Sequence, residues 1–346
     1  MRRKTRFVCV SDTHAYTPSE AGFKLPAGDV LIHAGDLTNH GSMAELRRTM
    51  NWISAADFEV KIIICGNHDI TLDPEFYARH GSKFHGQHLE NTQECIELVT
   101  EASSPSIVFL RHESALVRLS RPNGPNTIFR VFGSPYSQSS GTWAYVYDSS
   151  DADALWSSIP LDTDIVVTHT PPHSHCDRHE VEGVSVGCKA LRQALSKVRP
   201  MLAVCGHVHE SRGYERVRWF PSSIPSSTTS STDDQPSQVI QGTLPPRGSR
   251  KQSLVDLTGK RVPKLDNDGF FAEWAQKTEA DRPRSESALS CLNRGDYDDE
   301  DRLHLHRHET CIINAAVMAT SWPHRGGKRF NAPIVVDLEL PVWKEV

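Results

Sequence analysis

The chain has 346 residues, with 38 Lys and Arg against 43 Asp and Glu, a formal net charge of −5. That length suits about two domains, or one large domain carrying an insertion. The mildly acidic balance speaks against a dedicated nucleic-acid binder, which carries a basic face, yet it leaves room for a locally positive site that takes small phosphorylated molecules. Hydrophobic residues make up 38%, below the usual ~45–50%, so part of the chain is expected to stay unpacked. No apolar run approaches the ~18–20 residues of a membrane span. The basic start, residues 1–6, is followed by only four apolar residues, too few for the apolar core of a secretory signal. The expectation is a cytoplasmic protein. Eight cysteines without a C-x-x-C pair then read as reduced thiols, several of them packed like small hydrophobes.

Short apolar runs recur along the chain, and each ends in polar residues. Residues 6–10 run into Asp12-Thr13-His14, residues 30–34 into Gly35-Asp36, and residues 61–65 into Gly66-Asn67-His68-Asp69. Residues 165–167 run into Thr168-His169, and residues 201–205 into Gly206-His207-Val208-His209. Four or five Val, Ile, Leu or Cys in a row predict buried strands. Between them, residues 43–53 and 188–198 carry apolar positions at helical spacing, and residues 151–156 form a shorter helical candidate. Alternating strands and helices predict an α/β architecture, with ligands at the C-terminal ends of the strands.

A composition shift begins at Pro221, where Ser, Thr, Pro and Gln dominate and apolar periodicity stops. Residues 221–308 are therefore expected to be a low-complexity, disordered insertion. Strand-like patterns return at residues 310–320 and 333–340. The predicted organisation is one domain, residues 1–220 plus 309–346, interrupted by that insertion.

The strand ends pool Asp, His, Asp, Asn, His, His and His at one edge. Residues two apart in extended chain project to the same side, so Asp12 with His14, and His207 with His209, can reach one centre. Mixed nitrogen and oxygen donors suit Mn, Fe or Zn better than Mg or Ca. Seven ligands are too many for one tetrahedral ion and suit two divalent ions sharing a carboxylate. Two such ions clamp an in-line displacement at phosphorus and make a bridging hydroxide available near neutral pH.

The blocks D-x-H, G-D, G-N-H-D, a lone His and G-H-x-H, in this order, resemble the calcineurin-like metallophosphoesterases. The segments Gly133-Ser134-Pro135-Tyr136, residues 162–172, Asp177-Arg178 and residues 333–338 are similar to the MPPED subfamily of phosphodiesterases, over about residues 5–220 and 309–341. The resemblance implies a four-layer α-β-β-α sandwich with two mixed sheets. It implies a first metal on Asp12, His14, Asp36 and His209, with Asp36 bridging to a second on Asn67, His169 and His207. His68 would face the phosphate and assist the leaving oxygen, with Asp69 orienting its ring. The implied activity is phosphodiester hydrolysis of small substrates such as cyclic nucleotides. A phosphomonoesterase or phosphoprotein phosphatase, and a non-catalytic scaffold on the same fold, stay open as alternatives.

Other candidates weigh less. Arg178 is a candidate phosphate contact, since guanidinium forks suit phosphoryl oxygens; a structural pairing with Asp177 is an equal reading. His33, inside an apolar run, reads as a core histidine. His173, His175 and His179 read as solvated loop residues. His304, His306 and His308 alternate beside the insertion and read as adventitious chelators. Cys188 reads as a packed thiol. No membrane partner is expected, and a nucleic-acid polymer is disfavoured as substrate.

Overall fold

The computed structural model describes residues 1–100, 106–138, 141–179, 183–219, 236–246, 249, 251, 253–260, 262–267, 307–321 and 323–343. Two mixed sheets lie face to face. The first contains β1 (Arg2–Val10), β2 (Val30–Ala34), β3 (Val60–Ile64), β4 (Ile107–Leu110), β13 (Ser253–Asp256) and β15 (Ile334–Pro341), in the order β13-β15-β1-β2-β3-β4. The second contains β5 (Glu113–Arg118), β6 (Ile128–Ser134), β9 (Ile165–Thr168), β10 (Leu202–Cys205), β11 (Gly213–Trp219), β12 (Pro236–Gln241) and β14 (Glu309–Asn314), in the order β12-β11-β14-β10-β9-β6-β5. β1, β2, β3 and β4 run parallel, as do β6, β9, β10 and β14. A ribbon of β7 (Ser137–Gln138) and β8 (Val146–Tyr147) stands apart.

Continuous apolar strands form because both faces of each sheet are covered. In β1, Phe7 and Cys9 point into the layer between the sheets, meeting Phe129, Val131, Ile165 and Val204 of the second sheet. Val8 and Val10 point the other way, into a second core with α1 (Met43–Ala55), α2 (Pro74–His85) and α3 (Thr92–Thr100). On the far side, α4 (Ala152–Trp156) and α5 (Lys189–Val198) cover the second sheet around the fully buried Trp156. The layer order is thus helix, sheet, sheet, helix, as the resemblance implied. Local chemistry sets the helix starts. Ser42 and Glu45 form a reciprocal capping box on α1, which satisfies two of the amide groups left open at a helix start. Cys188 caps α5, its sulfur accepting from the Leu191 N–H at 3.3 Å, and it is fully buried.

Two differences from the sequence reading concern the interruption. Within 221–308, residues 236–241 and 253–256 are strands. β12 joins the edge of the second sheet antiparallel to β11, and β13 joins the edge of the first parallel to β15. Val255, Leu257 and Leu265 are buried against the inter-sheet core. Edge strands need few apolar residues, which is why composition hid them. The expected disorder of 221–235, and His304 and His306, lie outside the described residues. The second difference is that β14 stops at Asn314 rather than extending to 320. The Asn314 amide donates to the carbonyls of Cys176 and Val208, and its oxygen accepts from the Ala316 N–H. This bends the chain out of the ladder and along the edge where the polar strand ends collect.

Candidate metal centre

All seven predicted ligands come to one edge of the two sheets. Asp12 and His14 follow β1, Asp36 follows β2, Asn67 follows β3, His169 follows β9, and His207 and His209 follow β10. Asp12, His14, Asp36 and His209 offer ligand atoms that all lie within 4.8 Å of one another. Asp36 stands between two groups. Its Oδ2 is 3.7 Å from His14 Nε2, and its Oδ1 is 3.4 Å from His169 Nε2. His169 Nε2 in turn is 3.0 Å from Asn67 Oδ1, and the His207 ring packs edge-on against His169 at 5.0 Å. The His207 N–H donates to the Asp12 carboxylate at 3.1 Å.

Backbone geometry makes this convergence feasible. Asp12, His14, Asp36 and His207 have φ of +53°, +44°, +53° and +68°, a left-handed region that turns each side chain sharply off its strand. Gly206 lets the two sheets touch here. A Cβ on it would stand 2.0 Å from Ser11 Oγ and 2.3 Å from Asp12 Oδ2. Gly66 is as tight, with Asp36 Oδ1 at 2.3 Å.

One arrangement repeats in the histidines. Nδ1 of His14 faces the Thr38 carbonyl at 3.2 Å, that of His169 the Ala34 carbonyl at 3.0 Å, and that of His209 the Thr320 carbonyl at 3.1 Å. A carbonyl accepts only, so each Nδ1 carries the hydrogen and donates it. In the neutral ring each Nε2 then turns its lone pair toward the centre, and the ring's tautomer is fixed. Nε2 of His14 and of His209 lie 3.2 Å apart. Two lone pairs at that distance repel unless a proton or a metal ion sits between them. The donor set therefore fits divalent cations of the transition-metal type.

The electrostatics agree. Burial resists ionising Asp12, yet the hydrogen bond and charge of His209, and then His169, bring its pKa down to about 2. Burial likewise opposes ionisation of Asp36, but the neighbouring histidines, His169 first, hold it well below the ordinary carboxylate value. Burial pushes His14 down to about 3 and His207 down to about 4, against the pull of Asp36. Both rings are thus uncharged and ready to ligate at neutral pH. His169 behaves differently. Burial would lower it, but the charge and hydrogen bond of Asp36 and the charge of Asp12 raise it to about 9. A bound cation would take the place of that proton.

His68 borders the centre, its ring edge-on to His14 at 4.8 Å. Its Nδ1 faces the Asn39 carbonyl at 2.7 Å, and the Trp143 ring lies over it at 4.0 Å. Asp69 has another task than the one the resemblance implied. Its carboxylate accepts from the backbone N–H groups of Leu37, Thr38 and Gly66 and from the Thr38 hydroxyl. Those four donors leave the ring of His68 to Asn39 and Trp143, and Asp69 ties the loops after β2 and β3 together. Burial and the charge of Asp36 raise its pKa to about 6. Sequence reasoning missed Asn39 and Trp143, because one contributes a carbonyl and the other arrives from 75 residues away.

The minor candidates divide. Arg178 is exposed, and its carbonyl accepts from the Ser211 hydroxyl. Asp177 does not pair with it. The buried Asp177 carboxylate accepts from the N–H groups of Ser174 and Gly187 and from the Ser185 hydroxyl, closing the loop between β9 and α5. The solvated reading fails for His175, which is 1% exposed and bonds Glu215 of β11 at 2.8 Å. His173 and His179 are half-buried. His33 is a core histidine, with Nε2 at 2.8 Å from the Thr13 hydroxyl and Nδ1 unpartnered among the described residues. No helix among the described residues is long and apolar enough to cross a membrane.

Several known proteins are similar to this chain. Over 226 residues the chain is 39% identical to a protein of Emericella nidulans named probable rhamnogalacturonate lyase C, covering 63% of this chain and 19% of that one. It is 34% identical over 221 residues to human metallophosphoesterase domain-containing protein 1, covering 60% of this chain and 62% of that one. The chain thus spans about a fifth of the fungal protein and about three fifths of the human one. A purple acid phosphatase from yellow lupin aligns at 14% identity and a TM-score of 0.32, over 65% of this chain and 40% of that one. The family model described as calcineurin-like phosphoesterase matches residues 5–211, a stretch that holds all seven ligand positions and more than half of the sequence. The chain belongs to the calcineurin-like phosphoesterase family.

Proposed function

We propose that the chain is a metal-dependent hydrolase of small phosphodiesters, cyclic nucleotides among them, and that its centre holds two divalent ions. The observation that carries this reading is Asp36, whose two carboxylate oxygens face two separate sets of nitrogen and oxygen donors. When bound, the ions would supply Lewis acidity toward the phosphoryl oxygens and a more acidic water. The chain's own residues do the rest. Asp12, His14, Asp36 and His209 would hold one ion, and Asn67, His169 and His207, with Asp36, the other. His68, held by Asn39 and Trp143, stands at the rim to hydrogen-bond the departing oxygen as water attacks phosphorus in line. Mn, Fe and Zn all suit the donors.

The test is turnover of bis-p-nitrophenyl phosphate with added Mn²⁺, comparing wild type with Asp36→Ala. The expected result is metal-dependent hydrolysis that falls by more than about a hundredfold in the variant, since losing a ligand exceeds the loss of an outer partner. Hydrolysis of p-nitrophenyl phosphate alone would make the enzyme a monoesterase. Silence on both would leave a metal-binding scaffold.

A further inference from the structure

The segment from Met318 to Phe330 leaves the metal centre and returns to it. Met318 donates its N–H to the Asp12 carbonyl at 3.2 Å and pairs with Phe330 across an antiparallel bridge. Ala319 N–H donates to the Arg329 carbonyl at 2.8 Å. The turn between them, described over residues 320–321 and 323–329, contains His324, Arg325, Lys328 and Arg329, and residues 320–329 include no acidic side chain. It is closed by the His324 N–H to the Ser321 carbonyl and by the Gly327 N–H to the His324 carbonyl. Gly326 and Gly327, at φ of +84° and +91°, supply the left-handed backbone this reversal needs.

Both ends of the turn are tied to metal-ligand loops. The Thr320 carbonyl accepts from His209 Nδ1, and the Thr320 hydroxyl bonds His324 Nδ1 at 3.1 Å. The Lys328 ammonium donates to the Tyr16 hydroxyl at 2.9 Å, and Tyr16 follows His14 by two residues. Phe330 packs on Tyr16 at 4.9 Å. Arg325, Lys328 and Arg329 are exposed. No carboxylate pairs with any of the three among the described residues. Elsewhere the chain pairs its arginines freely: Arg6 with Asp337, Arg130 with Asp162, Arg216 with Glu309, Arg307 with Asp164. Three unneutralised cations beside a centre built for metal ions repel each other and that centre. An anion with more than one charged group relieves both repulsions.

We propose that this turn is a second anion subsite, which binds a phosphate of the substrate other than the one hydrolysed. The proposal rests on the phosphoesterase reading and narrows it to phosphoesters that carry a further phosphate, of the bisphosphate type. Arg325 and Arg329 supply forked donors that match phosphoryl oxygens two at a time, and Lys328 supplies a point charge held in place by Tyr16.

The test uses two probes whose C–P bonds cannot be hydrolysed, hexane-1,6-diphosphonate and hexylphosphonate. Their affinities for the full Mn²⁺-loaded chain are read by calorimetry. Two equivalent ends give the diphosphonate a statistical advantage of about twofold, and a few exposed ion pairs raise the expected preference to about tenfold. In Arg325→Ala/Arg329→Ala, which keeps only Lys328 of the three cations, most of the preference above the statistical value is lost. It is lost likewise at 1 M salt, where the screening length is about 3 Å. Removing as many cations at the other end of β1, in Arg3→Ala/Lys4→Ala, leaves the preference at its wild-type value. A wild-type preference of only about twofold, or one that survives in Arg325→Ala/Arg329→Ala, overturns the subsite while monophosphonate binding keeps the phosphoesterase reading. Failure of both probes to bind overturns the two together.

Discussion

The two sheets meet at the candidate metal centre with different chemistry. The first contributes Asp12, His14, Asp36 and Asn67, three oxygen donors and one ring. The second contributes His169, His207 and His209, rings only. The carboxylates of the first wall act across the gap on the second, as Asp36 and Asp12 do when they raise His169 to about 9 against burial. At His207 of the second wall burial wins, holding it down to about 4, as it does on the first wall. His14 is held down to about 3 and His33 to about 4. Neither wall is electrostatically complete alone, and Gly206 lets the two walls touch.

The largest expected effect breaks the symmetry between the walls. Asp36 faces both donor sets, whereas His207 belongs to one. On the proposed two-ion reading, Asp36→Ala should lose both ions and His207→Ala one, read by elemental analysis after dialysis. Activity should fall by more than about a hundredfold in each. Equal metal content in the two variants would show that Asp36 does not link the sets.

Acid should weaken the first wall of the metal-free chain. Burial, against the pull of Asp12 and Asp36, holds His33 at about 4, below its ordinary 6.5. A base with a lowered folded pKa binds its proton more tightly when unfolded. Its stabilising contribution is therefore complete above 6.5 and is lost as pH falls toward 4. Between pH 7 and 5 the loss attributable to His33 is about 2 kcal/mol. Urea unfolding in EDTA should show that much less acid sensitivity in His33→Gln than in wild type. An identical pH profile would mean the ring is already solvated.

The smallest effect concerns the rim. An aromatic pair contributes about 0.5–1.5 kcal/mol, so Trp143→Leu should lower kcat by up to about tenfold, with KM little changed. Trp143→Phe should recover most of it. A change confined to KM would assign Trp143 to substrate binding rather than to holding His68.

What the sequence made legible and what it hid follow from range. Asp12, Asp36, Asn67, His169, His207 and His209 announce themselves because each sits at the end of an apolar strand, and strand ends share an edge by topology. His175 did not, since nothing in its own loop reveals that Glu215, 40 residues on, faces it. The clamp on His68 depends on a backbone carbonyl and on Trp143, neither of which leaves a local pattern. β12 and β13 escaped notice because an edge strand can be polar and still complete its ladder. Asp69 misled for the opposite reason. Its place beside His68 in sequence suggested a pairing, while its carboxylate is engaged by three amides and a hydroxyl of neighbouring loops.

The left-handed backbone at Asp12, His14, Asp36 and His207 has a consequence for anyone seeking a hardier version of this protein. Non-glycine residues there cost roughly 1–2 kcal/mol each, so glycine at any of these positions would relax the chain. Selection for thermal tolerance of the metal-free chain, where no bound ion offsets the strain, would press on these positions first. A library screened for stability must therefore be screened for metal retention as well, because at these four positions the two properties pull in opposite directions.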